Sequence, residues 1–248
     1  MSLSKKDKTI REFTQARIAL QKTGVSINTN EMLRFKMDHA HARDAVFSLL
    51  DTNNLLQQSQ YFHLPIFSLK SKAIDKHVYL KRPDLGRKLD ENSIEQLSVL
   101  KEAQFDICII LTDGLSATAI NNHAVVLLKS LVPLIKKINL KIAPLCLIEN
   151  GRVAIADEAA SWMNAKLSLI LIGERPGLSS PDSLGAYITY QPTIGLTDER
   201  RNCVSNIRPE GLQYKQAAQK IAYLIKEAFR LQLSGVALKE NNSDKKLE

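Results

Sequence analysis

The chain has 248 residues, 44% hydrophobic and 24% charged, with a formal net charge of +8. That balance is ordinary for a soluble globular protein and provides enough apolar side chain for a sizeable core. No apolar run approaches the roughly 18 residues of a membrane span, and the opening MSLSKKDKTI lacks the apolar stretch of a secretory signal.

Residues 1–10 and 237–248 are polar and charged and read as frayed ends. Asn28, three residues before Glu31, resembles a capping signal. Met32, Phe35, His39, Ala42, Val46 and Leu49 then recur at spacings of three and four, which predicts one helix with an apolar stripe. The cluster Asp51, Thr52, Asn53, Asn54 ends it. Residues 60–90 hold Pro65, Pro83 and Gly86 among many charges and read as a connection with short helices.

The second half alternates strand and helix signals. Residues 105–111 (FDICIIL) read as a strand running into the turn 112–116. Residues 143–148 (APLCLI) read as a second strand, followed after Gly151, Arg152 and Val153 by a helix over 154–164. Residues 167–172 (LSLILI) form a third strand, 187–190 a fourth, and 213–231 a closing helix. Strands that are apolar on both faces and alternate with helices predict a parallel sheet covered on both sides. The fold class is therefore α/β: a Rossmann-like, mostly parallel sheet with flanking helices, preceded by a helical N-terminal region. The expected division is a helical, partner-contacting region over 1–100, a Rossmann-like domain over 101–236 and a tail over 237–248.

Ligands in such sheets sit at the C-terminal ends of the strands. Two loops qualify, 113–116 and 173–183. The second, within GERPGLSSPDSLGAY (173–187), combines glycines that allow close backbone approach with hydroxyl and backbone donors. The polar segment 200–209 adds Cys203, Asn206 and Arg208. A nucleophilic cysteine needs a neighbouring base, and no histidine follows His123, so Cys203 reads as a packing or contact residue. Asp113, Gly114, Leu115 and Ser116 form a strand–turn–helix with Ser116 as N-cap; an anion loop and a plain turn remain equally open. His39 and His41, two apart, leave a helix on different faces and do not make a metal pair. The three cysteines, Cys108, Cys146 and Cys203, have neither CxxC nor zinc spacing and suit a reduced, cytoplasmic compartment.

Six blocks together resemble one family. They are FTQARIALQKTG (13–24), LRFKMDHAHARDAVF (33–47), YLKRPDLGRKL (79–89), TDGLSATAI (112–120), GERPGLSSPDSLGAYITY (173–190) and RNCVSNIRPEG (201–211). The chain is similar over roughly residues 10–235 to the small subunits of ethanolamine ammonia-lyase. The resemblance implies a carbon–nitrogen lyase that converts ethanolamine to acetaldehyde and ammonia with adenosylcobalamin. It implies a large partner subunit, a (β/α)8 barrel that binds the substrate and carries the radical chemistry, and a hetero-oligomer of six αβ pairs. The small subunit then cradles the corrin, with cofactor contacts at Val153 in the GRVA turn, Glu174 in the GERPGL loop and Cys203 in RNCVSNI. No catalytic residue and no metal ligand fall on this chain. Base-off cobalamin proteins carry D-x-H-x-x-G, which no segment here matches, so base-on binding is implied. The resemblance implies a cytoplasmic location, free or within a bacterial microcompartment; the N-terminal extension is short beside that of relatives it addresses to the compartment, which speaks against encapsulation. Two other readings start from the residues alone. A nicotinamide-dependent oxidoreductase suits the βα alternation but lacks GxGxxG, and NADH titration discriminates it. A nucleic-acid-binding module suits the basic charge but lacks a basic stripe with interleaved aromatics, and salt-dependent retention on DNA discriminates it.

Overall fold

The computed structural model describes residues 22–238, together with Ile18 and Leu20. The expected frayed ends and most of block 13–24 lie outside these residues. A two-strand hairpin, β1 (Lys22–Thr23) and β2 (Ser26–Ile27), leads into α1 (Thr29–Phe47). The Asn28 side chain accepts from the Asn30 N–H at 2.9 Å, as the capping signal predicts. The helix ends at Phe47, before the Asp51 cluster. That cluster starts the next helix instead: Asp51 caps α2 (Thr52–Ser59) by accepting from the Asn54 N–H at 3.1 Å. Asn121 clamps the intervening turn, donating to the Leu49 carbonyl and accepting from the Asp51 N–H, both at 3.0 Å.

The segment read as a connection carries an edge strand, β3 (Ile66–Lys70), and two short helices, α3 (Lys76–Lys81) and α4 (Glu91–Ser98). Next come β4 (Phe105–Thr112) and the long helix α5 (Ala117–Lys137), which contains a π turn over Ile120–Ala124. Then follow β5 (Leu145–Glu149), α6 (Ile155–Trp162), β6 (Ala165–Gly173), β7 (Leu184–Tyr190), β8 (Arg201–Ile207) and α7 (Tyr214–Leu231). β8 falls in the segment read only as dense and polar.

The six strands form one sheet in the order β3-β5-β4-β6-β7-β8. The first four are parallel, and β7 and β8 are antiparallel additions. The expected α/β architecture, a mostly parallel sheet flanked by helices, is present. Its strand order differs from the 3-2-1-4-5-6 of dinucleotide-binding sheets. Alternation along β4 divides the core. Ile107, Ile109 and Leu111 face α2, α5 and α7, while Cys108 and Ile110 face α4 and α6. Among the described residues α5 is the one helix long and apolar enough to cross a bilayer by length and composition. Leu127, Leu128 and Leu131 bury it against the sheet.

The two faces are not covered alike. α7 packs on β7 and β8 from one side. On the other side Arg201 and Thr189 are buried beside Asp157 of α6, while Cys203 and Ser205 of β8 are exposed, so the later part of β8 is left uncovered. The α1 stripe is also outside the core. Only Ala45 of this helix is buried, and Met32 is 44% and Phe35 41% exposed.

Candidate functional site

The chain leaves β4 and β6 toward opposite edges of the sheet, and that divergence places a crevice at their C-terminal ends. The loop after β4 does not form a free anion site. Lys76 Nζ lies 2.6 Å from Asp113 Oδ2 and donates to the Gly114 carbonyl at 2.9 Å, and the Asn150 N–H donates to Asp113 Oδ1 at 2.7 Å. Ser116 caps α5 as expected, accepting from the Ala119 N–H at 3.3 Å, but it also donates to the Pro181 carbonyl at 2.9 Å and is fully buried. Of that loop, Leu115 alone lines the cleft.

The cleft itself has a volume of about 410 Å³ and is walled by Arg152 and Val153 after β5, Gly173, Glu174 and Arg175 after β6, Tyr187 of β7, and Tyr79 of α3. Glu174 is fixed from three directions. Its N–H donates to the Ser183 carbonyl at 2.9 Å, the Ser183 hydroxyl donates to Oε2, and the Asn206 N–H donates to Oε2 at 3.2 Å. Gly185 makes room for it: a Cβ there would lie 2.9 Å from Oε1. Oε1 makes no hydrogen bond among the described residues and remains an acceptor on the cleft wall.

Val153 and Glu174, two of the three residues that the resemblance singles out, share this cleft. Cys203 does not line it. It pairs in register with the cleft residue Tyr187, one strand outward, and is exposed. Asn206 and Arg208 hold the loop rather than line the site. Arg208 donates to Asn206 Oδ1 at 3.2 Å and sits 3.4 Å from Asp182. Asp182 meets His123 Nε2 at 3.0 Å, and Tyr214 Oη lies 2.9 Å from His123 Nδ1. The π turn that carries His123 thus anchors loop 173–183 to α5 and α7. Sequence reasoning missed Tyr79, Arg152 and Tyr187. Arg152 stood inside a quoted turn, and Tyr79 opened a quoted block. His39 and His41 are exposed, and among the described residues no cluster of His, Cys, Asp or Glu could hold a metal.

Burial raises the Tyr79 and Tyr187 phenols above their ordinary range, with Cys203 and Glu174 adding to the effect at Tyr187, so both are neutral donors at physiological pH. Shielding of its sulfur likewise raises the Cys203 thiol, against a smaller lowering by Tyr187. Only the thiolate is nucleophilic. Iodoacetamide labelling of the native chain, followed by peptide mass spectrometry, should therefore mark Cys203 more slowly than a free thiol at pH 7. The rate should still climb above pH ~8.5, the midpoint of an unperturbed cysteine. A rate already level at that pH would refute the raised pKa. Cys108 and Cys146 are buried and should stay unlabelled.

The sequence model of the ethanolamine ammonia-lyase light chain (EutC) matches residues 4–239. The ethanolamine ammonia-lyase small subunit of Pseudomonas aeruginosa (strain UCBPP-PA14) is 47% identical over 96% of this chain and 89% of its own length. The chain belongs to the ethanolamine ammonia-lyase small-subunit family. Its likeness extends to the small subunits of Ralstonia nicotianae, 48% identical over 93% of this chain and 87% of that one, and of Xanthomonas campestris pv. campestris, 47% over 93% and 86%. The chain is thus a subunit of a lyase, and a small subunit implies a large one. The dinucleotide and nucleic-acid readings give way to this membership.

Proposed function

We propose that this chain holds adenosylcobalamin, base-on, against the large subunit of an enzyme that converts ethanolamine to acetaldehyde and ammonia. The observation that carries the reading is the cleft at the strand ends, whose wall residue Tyr187 is paired with the exposed Cys203 of β8. A cobalamin is broad, flat and fringed with amides. A cleft of about 410 Å³ takes one edge of such a ligand, which leaves the remainder to a partner. The donor set suits amides as well. Glu174 Oε1 accepts an N–H, and the neutral phenols donate.

When bound, the cofactor supplies the cobalt–carbon bond whose cleavage starts the reaction; this chain supplies binding and orientation. Glu174, pinned by Ser183 and Asn206, fixes an edge. Tyr187 lines the cleft, and Cys203 pairs with it one strand outward. The large subunit is proposed to cover the exposed face of α1, where Met32 and Phe35 of the apolar stripe are 44% and 41% exposed, together with Leu49 just past the helix, 84% exposed, an apolar surface of the kind that marks an interface. The assembly proposed for the holoenzyme is six αβ pairs.

Co-expression with the cognate large subunit tests the reading. The two chains should purify as one complex and release acetaldehyde from ethanolamine only when adenosylcobalamin is added. A complex that binds no cobalamin would refute the cofactor role, and two chains that elute apart would refute the partnership. In the complex Glu174→Ala should weaken cobalamin binding about 10-fold or more, the effect of deleting a charge-assisted hydrogen bond. Unchanged affinity would remove Glu174 from the site.

A further inference from the structure

The block YLKRPDLGRKL (79–89) supplies one residue of the cleft, Tyr79. Tyr79 is fully buried, and its ring carries the Arg152 guanidinium at 4.0 Å from the centroid. Arg152 Nη2 donates to the Tyr79 carbonyl at 2.9 Å, and the Arg152 backbone N–H donates to the Gly86 carbonyl at 2.7 Å. Gly86 is a structural requirement of this seat. A Cβ there would stand 2.9 Å from Arg152 Cγ and 3.2 Å from the Tyr79 ring. The block therefore builds a bracket that fixes one guanidinium at the cleft wall.

That guanidinium is under-used. It has five N–H donors and is charged at every accessible pH. Nη2 is bonded and Nε is shielded within the fold, whereas Nη1 makes no hydrogen bond among the described residues and is the donor left to face the cleft. Glu174 shares the cleft, but no ion pair joins it to Arg152. A half-buried guanidinium held by three contacts and a glycine, with Nη1 unpaired at the cleft wall, is placed to meet an acceptor from outside the chain. We infer that Arg152, seated on Tyr79, is a further ligand-binding residue of this site and donates to an acceptor oxygen of the bound molecule. The inference rests on the cofactor reading above. In a cobalamin the shared chemistry has two sources: an amide carbonyl at the corrin edge, or the phosphate of the nucleotide loop.

The test is equilibrium dialysis of cyanocobalamin and of cobinamide, which lacks the nucleotide loop, against the complex with the large subunit, with visible absorbance as the readout. Arg152→Met should bind cyanocobalamin about 10- to 100-fold more weakly than the native complex, and Tyr79→Leu, which removes the seat, should weaken it in the same direction. A penalty that persists with cobinamide assigns the acceptor to a corrin amide, and one that disappears with cobinamide assigns it to the phosphate. Arg152→Lys keeps the stem and the charge but not the planar fork, and it should still lose several-fold in affinity. Native affinity in Arg152→Met overturns the inference while leaving the cofactor reading intact. So does native affinity in Arg152→Lys if Arg152→Met fails to assemble. A native complex that binds no corrinoid overturns both.

Discussion

Asp157→Ala is expected to destabilise the chain by about 3–5 kcal/mol, the usual result of leaving one member of a buried ion pair unpaired. Asp157 lies in the first turn of α6, and Arg201 opens the edge strand β8; their side chains are 1% and 2% exposed. The pair is bidentate, with Arg201 Nη1 donating to Oδ1 at 2.8 Å and Nη2 to Oδ2 at 2.7 Å. Nη1 also donates to Thr189 Oγ1 and Nη2 to the Leu196 carbonyl, both at 3.1 Å. One guanidinium thus ties α6, β7, β8 and the loop between the two strands. Removing the carboxylate leaves that charge buried with two neutral acceptors and the exposed, solvent-screened carboxylate of Asp198, 3.4 Å from Nε. At about 2–4 °C per kcal/mol for a chain of this size the melting temperature should fall by about 6–20 °C. Because the cost comes from the orphaned charge rather than from the pair's own strength, Asp157→Leu combined with Arg201→Met should be less damaging than either substitution alone. Thermal unfolding followed by circular dichroism checks both statements. A fall of under about 2 °C for Asp157→Ala would refute the first.

The same pair shows why part of the fold was hidden in the sequence. β4, β6 and α7 were legible because their burial is internal. β4 is apolar on both faces, and α7 repeats apolar positions at helical spacing. β8 was not legible, because only Val204 and Ile207 of its seven residues are buried hydrophobics. Arg201 is buried but charged, and Cys203 and Ser205 face an open surface. A strand whose outer face is left for a ligand or a partner carries half the usual signal. β3 was hidden for another reason: at five residues, between a proline and a charged connection, its period is too short to register. α1 is the converse case. Its stripe announced a helix, but the stripe points away from the core, and the capping residues alone located its start.

The site was legible to the same extent. Glu174 and Val153 follow apolar strands, where the strand-end rule looks first. Tyr79 and Arg152 are 73 residues apart, and no local pattern joins them. Their contact is made by the fold, which brings α3 beside the loop after β5. Loop 113–116 shows the limit of that rule. The strand end was located correctly, but Lys76 and the Asn150 N–H fill it, so the ligand surface moves to the neighbouring strand ends.

Gly173→Ala is expected to be the most damaging single-methyl change at the site. Its backbone needs no special conformation; the demand is spatial. A Cβ at residue 173 would stand 2.0 Å from the Ser116 carbonyl oxygen and 2.5 Å from that of Asp113. Those are backbone atoms at a strand end and a helix cap, so no flexible side chain can swing aside. The end of β6 must part from the loop after β4, which breaks the bond from the Leu115 N–H to the Gly173 carbonyl, now 2.9 Å. The cost should reach about 3 kcal/mol, the upper part of the range for overpacking. The shift also passes directly to Glu174, the next residue, so cobalamin affinity of the complex should fall with stability. Gly195→Ala separates this steric effect from ordinary glycine strain. Gly195 is exposed, has φ +96°, and a methyl placed on it would meet no atom within 4 Å. Its substitution should cost about 1–2 kcal/mol through the left-handed conformation and leave cofactor binding unchanged. If Gly173→Ala bound cobalamin as tightly as the native complex, the close approach of β6 to the β4 loop would not be what positions Glu174.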